Sequence, residues 1–172
     1  MNDTDKTKEQ LIAELTALRQ QIEALNISAE SYRDAFENAG TAIIVFEDDM
    51  TVSMVNREAE TLSGYTREEV IGKKKWIDFV VENELERMKE YHRLRTIDPD
   101  VAPRRYESRF RDKEGKVKDI LLSVDLIPEG RKRVATLLDI TERKQAVEAL
   151  RKSEEELREK VKGFEELYGI EC

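Results

Sequence analysis

The chain has 172 residues, a length that accommodates one ordinary domain with attachments and argues against two full domains. Its 38 acidic and 30 basic residues give a net charge of -8, and this acidic balance argues against nucleic acid as a partner. The one cysteine, Cys172, is the last residue, which excludes an internal disulfide and a cysteine-based metal cluster and fits a reducing cytosol. The longest apolar run, 41–46, is far shorter than the roughly 20 residues of a membrane helix, so no direct membrane insertion is expected.

The first predicted element is an N-terminal amphipathic helix over residues 1–30. Its apolar positions alternate at spacings of four and three, with charged and amide residues between them, as in a coiled coil. We call them the N-terminal seam: Leu11, Leu15, Leu18, Ile22 and Leu25. Two heptads are marginal alone, so a partner helix is expected, the alternative being a lone helix that packs on its own domain.

Between residues 31 and 140 the pattern changes to short β-branched and apolar runs separated by turns, which predicts a globular domain. The runs 41–46 and 51–55 predict a hairpin of two strands. Three more strands are predicted towards the end of the domain, over 106–111, 117–127 and 133–138. The turns between them are expected at 112–115 and 128–130, where glycine ends each turn.

Helices are predicted between the second and third strands. Each begins at a capping signal, and these signals are Asn56, Thr66 with Glu69, and Asn83 with Glu86. The last of these helices is expected to end near Arg95, before a loop forced by Pro99 and Pro103. The order of two strands, helices and three strands predicts an α+β fold, an antiparallel sheet with its helices on one face.

Residues 141–172 predict a C-terminal helix with a second apolar seam. Asp139 and Glu142 form a capping-box pattern at its start. The seam alternates at spacings of three and four and is interrupted by Glu154, which favours an outgoing coiled coil. We call these positions the C-terminal seam: Val147, Leu150, Leu157, Val161, Phe164 and Tyr168.

Several motifs, in their order and spacing, resemble a PAS sensory domain with the short linker that follows it. The resemblance covers roughly residues 31–144, and its motifs are YRDAFENA at 32–39, VN at 55–56, LSGYTREEVIG at 62–72, DKEG at 112–115 and DITER at 139–143. It implies a five-stranded antiparallel sheet with helices on one face. The two seams are similar to the signalling helices that join PAS domains to histidine kinase or diguanylate cyclase modules.

Alternation along the strands of such a sheet predicts which side chains face a hollow beneath the helices. The expected lining from the strands is Ile44, Phe46, Tyr106, Ser108, Phe110, Ile120, Leu122, Val124, Ala135 and Leu137. The expected cover from the helices is Leu62, Ile71, Trp76, Phe79 and Met88. Because this set contains no Arg, Lys or His, a natural ligand is expected to be small, largely apolar and uncharged. The alternative is a filled core with no ligand.

The resemblance also restricts the cofactor. In flavin-binding light sensors of this family the reactive cysteine follows the helix-ending glycine by three positions, and Lys75 occupies that position after Gly72, which excludes the photoadduct. Haem-binding relatives use a histidine on the long helix. His92 lies later in the predicted helix than the family's ligand, which aligns near Arg87 or Met88, so haem is disfavoured and a partly exposed histidine is expected.

No catalytic or metal site is predicted. The stretch HRLRT at 92–96 is similar to the phosphoacceptor box of histidine kinases, but Arg93 stands where that box has an acid, and the stretch lies inside the PAS region. The domain has one histidine and no cysteine, so a nucleophile–base pair of the serine or cysteine hydrolase type is not available. The sequence therefore predicts a protein that is not an enzyme.

The exit motif supplies the expected signal linker, which consists of Asp139, Thr141, Glu142 and Arg143. As the similar motif in the family suggests, the Asp139 carboxylate is expected to cap the outgoing helix and to pair with Arg143 one turn on. This arrangement would tie the last strand to the C-terminal helix.

The leading hypothesis is a cytoplasmic sensory and dimerisation module that relays a ligand or conformational state through coiled-coil helices to an output module. A second copy of the chain and an output module are the expected partners. One alternative is a fragment of a sensor histidine kinase or diguanylate cyclase whose catalytic part is absent. The other is a scaffold that dimerises without sensing.

Overall fold

The computed structural model describes residues 7–98, 100–127 and 132–169. Pro99, the turn expected at 128–130 and Cys172 lie outside these ranges. In chain order the helices and strands are α1 (Lys8–Glu37), β1 (Ala42–Phe46), β2 (Val52–Val55), α2 (Arg57–Ser63), α3 (Arg67–Val70), a 3-10 helix (Trp76–Phe79), α4 (Glu82–Ile97), β3 (Arg105–Arg111), β4 (Val117–Ile127), β5 (Lys132–Asp139) and α5 (Thr141–Tyr168). The chain forms two compact units, residues 1–40 and 41–172, which are described separately.

The first unit contains α1, a helix of 30 residues without a buried side chain. Its start is a capping box, in which Thr7 Oγ1 accepts from Gln10 N at 3.3 Å and Gln10 Oε1 accepts from Thr7 N at 2.9 Å. The helix continues without a break past residue 30 and ends at Glu37. All members of the N-terminal seam lie on it and are exposed, from 40% at Leu11 to 69% at Leu25.

The second unit is built on a five-stranded sheet in the order β2-β1-β5-β4-β3, and every neighbouring pair is antiparallel. The fold predicted from the sequence is confirmed. Residues directly opposite each other point to the same face of an antiparallel pair. Leu122 of β4 lies opposite Leu137 of β5 and Tyr106 of β3, so side chains from three strands share one face.

The helices between β2 and β3 begin and end at capping residues. Asn56 is the N-cap of α2, and Gly64 ends that helix at φ 73°, in the left-handed region that suits glycine. Helix α3 begins after Thr66, whose backbone N donates to Glu69 Oε2 at 3.0 Å. The long helix α4 has Val81 as its N-cap, so the start predicted at Asn83 lies in its first turn.

An apolar core lies between the sheet and these helices. Its buried members are Ala42, Phe46, Val52, Val55, Ala59, Val70, Trp76, Phe79, Met88, Phe110, Ile120, Leu122, Val124, Ala135 and Leu137. The 3-10 helix, which the sequence pattern did not predict, contributes the buried rings of Trp76 and Phe79. Ten of these side chains also surround a cavity, so the core positions the candidate site.

Candidate functional site

A cavity of about 50 Å³ lies between the sheet and the helices. Strands β1, β3, β4 and β5 form one wall, and α4 and the 3-10 helix form the other. The structure brings together at this cavity most residues expected from the sequence: Ile44, Phe46, Trp76, Phe79, Met88, Tyr106, Ser108, Phe110, Ile120, Leu122, Val124, Ala135 and Leu137. Aromatic rings dominate one side, where Phe79 and Phe110 are stacked with centroids 5.6 Å apart.

Leu62 and Ile71 do not line this cavity, so these two expectations were wrong. Leu62 is half-buried against the core, and its carbonyl accepts from Lys118 Nζ at 2.6 Å. Ile71 follows α3 and is 38% exposed. The reason is that α2 packs against β1, whereas the cavity lies beneath α4 and the 3-10 helix.

Basic side chains border the cavity, contrary to the expectation of a lining free of Arg, Lys and His. They are His92, Arg95, Arg109 and Arg133. Three of them follow patterns that the sequence contains: Arg133 lies two residues before Ala135 on the inward face of β5, and His92 and Arg95 continue the face of α4 that contains Met88. The periodic pattern alone does not predict their burial, because charged side chains lie at the surface unless a partner is available.

Arg133 is the most deeply buried of these groups, with 2% of the residue exposed. Its Nη1 donates to Asp48 Oδ1 at 2.6 Å, and its Nη2 donates to Thr96 Oγ1 at 2.8 Å. Asp48 lies in the turn between β1 and β2, so this ion pair joins that turn to β5. Arg133 Nε is buried and has no hydrogen-bond partner in the part of the chain that the structure describes.

Arg95 is 7% exposed and has an aromatic neighbourhood. Its guanidinium carbon lies 5.5 Å from the ring centroid of Tyr106 and 5.9 Å from that of Tyr91, which are cation–π distances. Its Nη2 donates to the carbonyl of Pro103. Burial raises the pKa of the Tyr106 hydroxyl, although the nearby Arg95 charge acts to lower it.

Glu84 accepts hydrogen bonds from polar side chains at another part of the cavity wall. Its carboxylate accepts from Ser108 Oγ at 2.8 Å and from Arg109 Nε at 3.2 Å. Burial acts to raise the pKa of Glu84, but hydrogen bonds from Ser108, Arg109 and Arg87 outweigh burial, and the pKa is lowered. The Ser108 hydroxyl, expected in the lining, therefore donates its proton to a protein carboxylate.

His92 is buried, so the expectation of a partly exposed histidine was wrong. Its Nε2 lies 3.1 Å from the carbonyl oxygen of Asp48, and its ring centroid is 5.8 Å from that of Trp76. Burial lowers the pKa of His92, and the charges of Arg133 and Arg95 lower it further, whereas Asp48 acts in the opposite direction. An imidazole buried in the cavity wall does not have the exposure of a phosphoacceptor.

We expect His92 to make the stability of the domain depend on pH near neutrality. Because burial lowers its pKa in the folded state, the unfolded chain binds a proton first, and stability present above about pH 6.5 is lost as the pH falls below that value. Urea unfolding at several pH values between about 7.5 and 5.5 measures this loss. His92→Gln is the control, and an equal loss in that variant would assign the effect to other groups.

The exit linker fastens α5 to the sheet. Asp139 Oδ1 accepts from the backbone N of Thr141 at 2.9 Å, and Thr141 Oγ1 accepts from the backbone N of Asp119 on β4, also at 2.9 Å. Lys144 Nζ pairs with Asp119 Oδ1 at 2.9 Å and with Glu107 Oε2 at 2.8 Å. Two strands of the cavity wall, β3 and β4, are thus bonded to the first turn of α5.

The expected ion pair between Asp139 and Arg143 is absent within 7–98, 100–127 and 132–169, and Lys144 has the tethering role instead. Lys144, one position after Arg143, faces the sheet. The direction in which α5 leaves β5 decides which side chain of its first turn points towards the sheet. Glu142 likewise forms no reciprocal capping bond with Asp139 among these residues.

We expect Thr141→Val to lower the free energy of unfolding by about 1–2 kcal/mol, because the partly buried amide of Asp119 loses its acceptor. Thr61→Val is the matched control, since the Thr61 hydroxyl only donates to the carbonyl of Arg57 on an exposed helix face. Urea unfolding of both variants measures the difference. Equal losses would show that the Thr141 bond adds nothing to stability.

The C-terminal seam lies on α5, and its described side chains are exposed: Val147 62%, Leu150 62%, Leu157 63%, Val161 48% and Phe164 63%. The side chain of Tyr168 lies outside the description. Salt bridges flank the seam, including Arg151 with Glu148 at 3.0 Å and with Glu155 at 3.1 Å. The helix therefore presents an apolar stripe between charged borders.

Two candidate features are not found in the described part of the chain. Its helices contain no stretch that is both long and apolar enough to cross a bilayer. Its His, Cys, Asp and Glu side chains form no group of three or more that could hold a metal ion.

The sheet order, the helices on one face and the cavity between them define a PAS-like α+β domain with flanking helices. A family model described as PAS domain matches residues 38–142. The chain belongs to the PAS domain family. Among curated proteins, no sequence matches it.

Solved structures agree with this family. The PAS domain of an HTR-like protein from Haloarcula marismortui has a TM-score of 0.59 and 17% identity, covering 71% of this chain and 99% of that one. A domain of a sensory box sensor histidine kinase/response regulator from Geobacter sulfurreducens has a TM-score of 0.54 and 25% identity, covering 67% and 96%. The PAS domain of the quorum-sensing receptor RpfR from Cronobacter turicensis, in complex with C12:0, has a TM-score of 0.51 and 18% identity, covering 59% and 94%. The chain resembles the PAS domains of sensor kinases.

Proposed function

We propose that this chain is a non-enzymatic, cytoplasmic sensory and dimerisation module that relays the state of its cavity to an output module through α5. The observation that carries the proposal is the direct bonding between the cavity wall and that helix. Strand β4 presents Ile120 and Leu122 to the cavity, while its Asp119 binds both Thr141 and Lys144 at the start of α5. A displacement of β4 by a ligand would therefore move the attachment point of α5.

The proposed partner of α5 is a second copy of this chain. Exposed seam residues with charged residues on both sides fit a parallel or antiparallel pairing of identical helices, in which the apolar positions are buried against each other. The similarity to a domain of a sensor histidine kinase supports a place in a larger signalling protein. The alternative nearest to our proposal is a fragment of such a kinase whose catalytic part is absent.

The cavity is proposed to hold a small ligand. The RpfR PAS domain in complex with C12:0 supports the use of this fold for ligand binding. The expectation of an uncharged, apolar ligand rested on a lining without basic residues, and the buried Arg95 and Arg133 remove that basis.

The relay can be tested by filling the cavity and measuring the distance between two α5 helices. Ala135→Val adds two methyl groups to the cavity wall, whereas Thr136→Val changes the adjacent position of β5, which does not border the cavity. Nitroxide labels at Glu159→Cys in a Cys172→Ser background report the distance between copies by pulsed electron resonance. We expect a shift of about 1–2 Å with Ala135→Val alone, the size of helix movements at interfaces.

Identical distance distributions in both variants and the parent chain would contradict the relay and favour a scaffold that does not sense. A shift of the same size with Thr136→Val would show that the helix responds to any change in β5. Circular dichroism of each variant establishes that the sheet remains folded.

A further inference from the structure

Unpartnered hydrogen-bond donors converge on the cavity. In the described ranges, the buried side-chain nitrogen or oxygen atoms without a hydrogen-bond partner are Trp76 Nε1, Arg95 Nε and Arg133 Nε. All three residues are at least nine-tenths buried, and all three border the same cavity. Each of these atoms is a donor and none is an acceptor, so a group that satisfies them must supply acceptor oxygens.

The charges around the cavity are also unbalanced. Arg133 is paired with the carboxylate of Asp48 at 2.6 Å. Arg95 has no carboxylate within salt-bridge distance among the residues described, although its guanidinium is buried against Tyr91 and Tyr106. A buried guanidinium without an anion is costly, and a bound anion would remove that cost. The lowered pKa of His92, caused first by burial and also by Arg133 and Arg95, agrees with a positive potential here.

A second depression of about 120 Å³ adjoins this cavity and shares Arg95, Val124 and Arg133 with it. Arg104, which also borders the depression, is exposed and pairs with Asp100 at 2.9 Å. Asp125 is an acidic residue of the rim, 4.0 Å from Arg104. Arg95 and Arg133 thus stand between an apolar cavity and a polar depression on their other side.

We propose that the site binds an organic monocarboxylate, whose carboxylate accepts from Arg95 Nε and Arg133 Nε and whose apolar chain lies against the cavity wall. The proposal rests on the proposed function, because the bound acid would be the sensed state. The single negative charge of a monocarboxylate matches the guanidinium of Arg95, which has no carboxylate partner among the described residues. The second carboxylate of a dicarboxylate would lie among Phe79, Phe110 and Leu122, where the basic neighbour Arg109 is already paired with Glu84. The second charge of a phosphate would likewise find no guanidinium without a carboxylate partner.

The space available sets the size of the acid. The two adjoining spaces together are similar to the cavity of about 150 Å³ that binds benzene in another protein. The two spaces together therefore set a size of about six to eight non-hydrogen atoms for the acid. Hexanoate is the probe of this size, and hexan-1-ol, with the same chain and no charge, is its neutral counterpart.

Titration calorimetry of the whole chain with each probe at pH 7.5 tests the proposal. We expect hexanoate to bind at least tenfold more tightly than hexan-1-ol. Arg95→Met keeps an apolar stem and removes the guanidinium with its charge, and it should weaken hexanoate at least tenfold with little change for hexan-1-ol. Arg93→Met is the control, because Arg93 lies on the same helix, pairs with the exposed Glu90 and does not border the cavity.

A second measurement separates loss of binding from loss of folding. Hexanoate should raise the melting temperature of the parent chain and of Arg93→Met and should not raise that of Arg95→Met, whose melting transition without ligand shows that the variant folds. A rise with hexanoate in Arg95→Met as large as that in Arg93→Met would overturn the proposal. So would equal binding of the two probes, no hexanoate binding, or equal weakening in both variants.

The label distance across α5 distinguishes this proposal from the relay on which it rests. Hexanoate that binds through Arg95 and leaves the distance between Glu159→Cys labels unchanged would support the carboxylate site and contradict the relay. Hexan-1-ol that binds as tightly as hexanoate and shifts the distance would support the relay and overturn the carboxylate site.

Discussion

Replacing Asn56 by alanine should lower the free energy of unfolding by about 3–5 kcal/mol, because one fully buried side chain satisfies several backbone groups. Its Oδ1 accepts from Ile43 N at 2.9 Å and from Ala59 N at 3.0 Å, and its Nδ2 donates to the Thr41 carbonyl at 2.9 Å. Alanine would remove these partners from the part-buried Ile43 N and Thr41 carbonyl and would also remove the N-cap side chain of α2.

Urea unfolding measures the loss, and Asn38→Ala is the matched control. The Asn38 side chain donates to the Asp34 carbonyl at 2.9 Å on an exposed helix end, so its loss should cost less than about 1 kcal/mol. Asn56→Asp adds a discriminating case, since it keeps the acceptor for Ile43 and Ala59 and removes the donor to Thr41. A loss of the same size in Asn38→Ala and Asn56→Ala would contradict the network.

The network around Asn56 illustrates what the sequence could and could not predict. A polar side chain followed by a helical pattern predicts an N-cap, and Gly64 predicts the end of α2, because both signals act within a few residues. The bonds from Asn56 to Thr41 and Ile43 join β1 to the start of α2 across the sheet. Local signals contain no information about such bonds.

The strands were predictable for a similar reason. Alternation between faces places Ile120, Leu122 and Val124 inward whatever their neighbours are, and the structure has them at the cavity. The same rule reaches Arg133 from Ala135. The rule alone does not predict burial of a charged residue, because burial of Arg133 depends on Asp48, 85 positions earlier in the chain.

The linker shows a different limit. Asp139 and Thr141 were identified from a motif, but the partner of the sheet proved to be Lys144 and not Arg143. Which of two adjacent basic side chains faces β4 depends on the rotation of α5 about its axis. Adjacent residues of a helix are about 100° apart around its axis, so only one of the two can face β4, and a local motif does not specify the rotation that selects it.

The other large expected effect concerns the proposed dimer. The double substitution Leu157→Asp with Val161→Asp should raise the dimer dissociation constant at least about a hundredfold, or about 2.7 kcal/mol. Each copy loses two exposed apolar side chains of the C-terminal seam, and burial of such side chains stabilises an interface by about 25 cal/mol per Å². The substitution also brings four carboxylates close together across the pair.

Sedimentation velocity at about tens of micromolar, where short coiled coils associate, measures the change. Ala149→Asp with Gly163→Asp is the matched control, because it adds the same charge on the opposite face of α5, and space surrounds Gly163. The control should remain a dimer, and circular dichroism should show an intact sheet in both. A parent chain that sediments only as a monomer would contradict the dimer. Unfolding of the seam variant would instead place α5 in the core of its own unit.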